Sequence, residues 1–123
     1  MRLKELRLEF NLSVRDFEKH GIGKNIINSI ENGDRKLTEE RLVFFCSLFQ
    51  VSSDYFLGLS DHGIYVKVVD NVYSISRSQF ELYSSIGMIS YIDNVRVLNV
   101  SSLDEIEFVN SFVPSIKLKK ESI

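Results

Sequence analysis

The chain has one cysteine, one proline, no apolar run of membrane-spanning length and no excess of positive charge in its 123 residues. Each shortage excludes something. One cysteine cannot form an internal disulfide, and no CxxC or Cys/His pair suggests a metal site. Cys46 sits in the apolar run "VFFCSLF", where it reads as a small buried hydrophobe. No segment approaches the roughly 20 apolar residues that a membrane-spanning helix needs. The N-terminus lacks a signal-peptide core. A soluble cytoplasmic protein with no membrane partner is therefore expected. A formal net charge of −2 offers no bulk attraction for a polyanion. His20 and His62 lie near turns, with no acid–base or nucleophile constellation beside them in sequence. No catalytic residue, metal or cofactor is expected, and an enzyme is the least favoured class.

With 44% hydrophobic and 26% charged residues, the composition is that of a globular chain. Its length suits one ordinary domain or two very small ones.

The first sixty residues carry helical signals. Leu3, Leu6 and Phe10 are spaced i, i+3, i+7 among charged residues, which predicts an amphipathic helix over roughly 2–10. Ser13 opens "SVRD", close to a capping box, before a second helix at about 14–20 that buries Val14 and Phe17. "HGIG" stops it. A third helix runs from Lys24 to about Asn32 with Ile27 and Ile30 inward, and Gly33 is its left-handed stop. Thr38 caps a fourth, with Glu39 and Glu40 facing its N-terminal dipole and Leu42, Phe45, Cys46 and Phe49 as the buried stripe. Ser52 or Ser53 caps a short fifth helix, and Gly58 ends it. The expectation is an all-α five-helix domain over 1–60 that closes its own core.

Three blocks of this pattern carry a family resemblance: "LKELRLEFNLS", "IINSIENGDRKLT" and "LFQVSSDYFLG". In order and at nearly the family spacing, they resemble the lambda-repressor-like (Cro/CI, XRE-type) helix-turn-helix domain over residues 2–60. Two departures stand out. Val14 occupies the position where the family usually has Gln, and the stretch from Ser13 to Gly33 is one residue shorter than usual, which points to an altered turn.

The resemblance implies double-stranded DNA as partner, with the third helix in the major groove. Lys24 would reach guanine acceptors or a phosphate. Asn25 and Asn28 would offer the donor–acceptor pair that suits adenine, and Ile26, pointing outward, would meet a thymine methyl. Ser29 would bond a base or phosphate. Arg35 and Lys36, after Gly33, would hold the backbone, as would helix N-terminal amides around Ser13 and Gly23. Residues 1–62 hold nine Lys/Arg and ten Asp/Glu, so any basic patch is local. Binding by one copy should be weak, and a dimer is expected.

After a linker at 61–63, composition shifts to a small α+β unit over 64–123. "IYVKVV" and "VYSIS" read as a hairpin with Asp70-Asn71 at the turn. Ser78-x-x-Glu81 reads as a capping box for a helix carrying Phe80, Tyr83 and Ile86, with Gly87 ending or kinking it. "VRVLNV" reads as a strand and "SSLDEIEFVNSF" as a helix, ended by Pro114. "SIKLKKESI" is an edge strand or a basic tail. Sixty residues bury a core poorly alone. Tyr65, Tyr73, Phe80 and Tyr83 are therefore candidates for the core of this half or for a homodimer or second-protein interface. Two functions are weighed. One is a dimeric bacterial or phage-type repressor on an inverted repeat. The other is a protein-binding inhibitor or antirepressor of the anti-CRISPR type, acting through 64–123, whose helix-turn-helix serves autoregulation.

Overall fold

The computed structural model describes residues 1–99 and 119–121. Helix α1 (Leu3–Glu9) buries Leu3 and Leu6, the i, i+3 pair of its apolar stripe. Helix α2 (Lys24–Glu31) buries Ile27 and Ile30. Gly33, at φ +78°, sends its N–H back to the Ile30 carbonyl at 3.1 Å and stops the helix. Helix α3 (Glu39–Phe49) begins at Thr38, whose side chain accepts the Arg41 N–H at 3.2 Å. Helix α4 is the single turn Ser53–Phe56, capped by Ser52 through the Tyr55 N–H.

Five α-helices are not what this segment contains, so that expectation is corrected. Residues Val14–His20 wind as a 3-10 helix, and α4 is one turn long. Length explains the first difference. A 3-10 helix rises about 2.0 Å per residue against about 1.5 Å for an α-helix. Its seven residues therefore span roughly 14 Å, more than eight α-helical residues would. The 3-10 winding thus offsets the one residue by which this stretch is shorter than the family pattern it resembles. Gly21, at φ +76°, then turns the chain into α2.

The helices pack on a mixed five-stranded sheet in the order β3-β4-β1-β2-β5. Strands β1 (His62–Val68) and β2 (Asn71–Ser76) form a hairpin with Val68 paired to Asn71. Its turn is thus Val69-Asp70, one residue earlier than expected. Helix α5 (Arg77–Ser85) starts at Ser76, not Ser78. Ser76 Oγ accepts the Gln79 N–H at 3.1 Å, and Gln79 Oε1 accepts the Ser76 N–H at 2.9 Å. Gly87 ends α5, and "ISYI" becomes strand β3 (Ile89–Ile92), turning through Asp93-Asn94 into β4 (Val95–Leu98). Strand β5 (Lys119–Glu121) pairs with β2 and closes the other edge. The helix expected over "SSLDEIEFVNSF" and its stop at Pro114 lie outside the described residues.

One core runs through both halves. Phe17, Phe45, Phe49 and Phe56 from the helices are continuous with Ile64, Val66, Ile75 and Tyr83. A core closed within residues 1–60 is therefore not what forms. Of the expected linker 61–63, His62 and Gly63 already belong to β1, and the Ser52 N–H bonds the Gly63 carbonyl at 2.8 Å. Gly63 is buried at φ +116°, and a Cβ there would collide with the Ser52 side chain.

The deepest tie is Arg96 of β4, whose side chain is 0% exposed. Its Nε and Nη2 donate to the two Glu9 carboxylate oxygens at 2.7 and 3.0 Å, and its Nη1 donates to the Gln50 carbonyl at 2.9 Å. Phe10 and Phe80 flank the guanidinium at 5.0 and 5.6 Å. Removing one partner of a buried ion pair strands the other charge, at a cost of about 3–5 kcal/mol. Arg96→Ala should lower unfolding free energy by about that amount in a urea titration. Glu9→Gln combined with Arg96→Met should recover most of the loss. A loss under about 1 kcal/mol for Arg96→Ala would show that the pair does not organise the core.

Candidate nucleic-acid interface

The exposed face of α2 is built from the residues that its buried isoleucines leave outside. With Ile27 and Ile30 in the core, Lys24 and Asn25 stand exposed and Asn28 and Ser29 are half-buried. The Lys24 and Asn25 N–H groups belong to the first turn, where an α-helix supplies no internal acceptor. Ile26 differs from the expectation: it packs against the edge of the core rather than pointing freely outward. Any contact with a thymine methyl is limited to what that packing leaves open.

The loop after α2 is folded back on the helix. The Ser29 carbonyl accepts the N–H groups of both Asp34 and Arg35, at 2.9 and 3.2 Å. Arg35 and Lys36 project from this loop into solvent, beside the α2 face. The helix itself is anchored from behind. Glu31, at its C-terminal end, takes Arg7 Nε at 2.9 Å and Nη2 at 3.3 Å, and Arg7 Nη1 donates to the Leu12 carbonyl at 3.0 Å. Both side chains are largely buried, at 12% and 9% exposure. This fork–fork pair fixes α2 against α1 and against the entry to the 3-10 helix.

Ser13 is placed differently from the role that the resemblance gives it. Its N–H donates to the Asp16 carboxylate at 2.6 Å. A carboxylate therefore occupies the donor that a DNA phosphate would take, and adds a like charge there. Gly23 caps α2 without such an acid, leaving that N-terminus as the open one.

The aromatic residues assigned to an interface divide. Tyr73 and Tyr83 are 6% and 0% exposed, so this chain's own core consumes them and leaves no surface for a partner. Phe80 is half-buried beside Arg96. Tyr65 is half-buried and lines a groove with Val43, Cys46 and Val51. Burial raises the Cys46 thiol above its ordinary pKa, which keeps it protonated and slow to react. Sequence reasoning assigned no role to Arg96 or Tyr91. Tyr91 O–H donates to Glu9 Oε2 at 2.7 Å. Burial, then that bond to a carboxylate, push the phenol well above its usual range. Among the described residues, no three potential metal ligands gather, and no helix is long and apolar enough to cross a membrane.

Comparison with known proteins bears on the N-terminal segment. The helix-turn-helix family model matches residues 3–56, from the start of α1 to the end of α4. No curated protein and no solved structure matches the chain. The matched stretch contains α2 with its exposed polar face, the Arg35/Lys36 loop and the Arg7–Glu31 anchor. Residues 3–56 are a DNA-binding helix-turn-helix segment of the XRE, lambda-repressor-like type.

Proposed function

We propose that the chain is a sequence-specific transcriptional repressor of bacterial or phage type that binds an inverted repeat as a homodimer. It is a binding protein, not an enzyme, and acts in the cytoplasm. The observation that carries the reading is the face of α2. Lys24, Asn25, Asn28 and Ser29 form one polar surface on a helix held by a buried Arg7–Glu31 pair, with Arg35 and Lys36 beside it. Asparagines read adenine edges, and lysines and arginines hold phosphates. Selection of bound duplexes from a random pool tests it. Enriched inverted repeats support it, and no enrichment overturns it.

A second reading rests on Asp16. Its carboxylate caps the 3-10 helix at the position where a phosphate would dock, which weakens backbone anchoring. That favours an inhibitor or antirepressor of anti-CRISPR type, which works through residues 64–123 and uses the helix-turn-helix only for autoregulation.

Two outcomes are expected of the repressor. Asn28→Ala should cost roughly 1–3 kcal/mol on the selected operator and little on random DNA, measured by titration at one salt concentration. Equal losses on both would remove Asn28 from base reading. Replacing Arg35 and Lys36 together with Ala should weaken binding to all sequences alike. It should also flatten the log–log salt dependence by up to about 2 units. An unchanged slope would take both residues out of the interface.

A further inference from the structure

Strand β3 ends the sheet, and among the described residues its outer side is open. The two-residue Asp93-Asn94 turn pairs Ile92 with Val95 and Ser90 with Val97, and the Asn99 N–H continues the ladder to the Met88 carbonyl at 2.7 Å. In an antiparallel hairpin the hydrogen-bonded pairs alternate. The residues between them, Ile89 and Tyr91, therefore aim their N–H and C=O groups away from β4. Nothing in the described structure bonds them.

Such an edge is a template for another strand, and proteins commonly blunt one with lysine, proline or charge. The opposite edge, Lys119-Lys120-Glu121, is charged in every residue. Strand β3 is the reverse. No charged residue occurs from Leu82 to Ile92, in a chain that is 26% charged. Ile86, Tyr91 and Ile92 are 54%, 43% and 58% exposed beside the open edge.

We propose that this edge pairs antiparallel with β3 of a second copy, about a two-fold axis at Ser90. This deepens the dimeric reading given above and rests on it for its purpose, while its test reads assembly without DNA. The register follows from which groups are free. Centring on Ser90 sets Ile89 opposite Tyr91 of the second copy and Tyr91 opposite its Ile89. All four unpaired N–H groups then meet unpaired carbonyls. Ile92 falls opposite Met88 of the second copy, and Asp93 opposite its Gly87, so no like charges meet. The pairing is self-complementary, as a two-fold interface requires.

Symmetry supplies the link to DNA. The two-fold axis of an antiparallel pair stands perpendicular to the sheet, so the joined sheet keeps one helix-bearing face. Arg96 on that face reaches Glu9 and Phe10 of the helix-turn-helix segment. Both helix-turn-helix units would then stand on the same side, related by a two-fold axis as inverted half-sites are.

The test uses the full chain without DNA. Sedimentation should give a dimer. Ile92→Lys, at an exposed position, should raise the dimer dissociation constant at least tenfold while the circular dichroism spectrum of the folded chain stays unchanged. A covalent trap covers the case in which that variant folds poorly. Ser90 and its symmetry mate form a non-hydrogen-bonded pair, with Cα atoms about 4.5 Å apart, within disulfide range. Ser90→Cys in a Cys46→Ser background should give a reducible covalent dimer on mild oxidation. Ser84→Cys, exposed on α5, should not. A monomer at tens of micromolar overturns the proposal. So does a dimer that Ser90→Cys fails to trap. Neither result bears on whether α2 reads a sequence, which the duplex selection decides separately.

Discussion

A fully buried guanidinium sets the geometry of this molecule. Arg96 lies on a sheet strand, but its charge is answered by Glu9 at the end of the first helix and by the carbonyl of Gln50 beyond the third. That carbonyl also accepts the Tyr65 N–H at 3.0 Å. Gln50 presents it by taking a left-handed conformation at φ +53°, a strained choice for a residue other than glycine. One residue thus ties α1, the end of α3, β1 and β4 together, between two aromatic rings. An isolated buried charge is prohibitively expensive. The chain must therefore bring all these groups together at once or not bury Arg96. Replacing such a pair with well-fitted apolar groups can be neutral for stability. What Arg96 contributes is position: it fixes where the sheet stands relative to the helices.

That residue also marks where reading the sequence stops. "VRVLNV" is legible as a strand, but simple alternation turns the valines inward and the arginine out. The structure does the opposite, with Arg96 and Leu98 buried and Val95 and Val97 half-exposed. Only the distant Glu9 makes the inversion tolerable, and no local window contains both. The helices of the first sixty residues were legible because their signals are local: Thr38 and Ser52 cap through their own side chains, and Gly33 stops α2. The 3-10 winding of residues 14–20 was not, because local periodicity does not separate it from an α-helix; the end-to-end distance decides. The α5 start was misplaced by two residues because Ser76-x-x-Gln79 and Ser78-x-x-Glu81 are equivalent patterns. Burial selects the first, with Gln79 at 1% exposure. Of the two roles open to Tyr73 and Tyr83, core or interface, burial selects the core, and that core is shared with the helices.

The helix-turn-helix segment is consistent with a protein of balanced charge. With nine basic and ten acidic residues in positions 1–62, nonspecific attraction to DNA is small. Asp16 reduces it further at the 3-10 N-terminus. On the proposed reading, affinity would depend on a few positioned contacts, and so on how rigidly α2 is held. The Arg7–Glu31 pair provides that rigidity from inside, and the Ser29 carbonyl positions the Arg35 loop from the helix end. On the proposed reading, such a segment would discriminate between sequences by geometry more than by charge, and would gain most from a second half-site.

The same carboxylate that neutralises Arg96 also receives the Tyr91 phenol, and Tyr91 belongs to the open edge strand. Its raised pKa keeps the O–H protonated. This contribution is fully present below the ordinary tyrosine pKa and is lost only as pH rises through the higher folded value, in strongly alkaline solution. Near neutrality the contact is therefore constant and carries no proton switch. Its role is mechanical. Tyr91 packs edge-on against Phe10, with centroids 5.3 Å apart. Phe10 in turn sits 5.6 Å from Phe49 in the helical core. Any strand laid along β3 would bond the Tyr91 backbone on one side, while the Tyr91 side chain holds Glu9 and Phe10 at the end of α1. The sheet edge and the α1 framework that anchors α2 through Arg7 are thus joined by two adjacent residue contacts, without an intervening loop to absorb displacement.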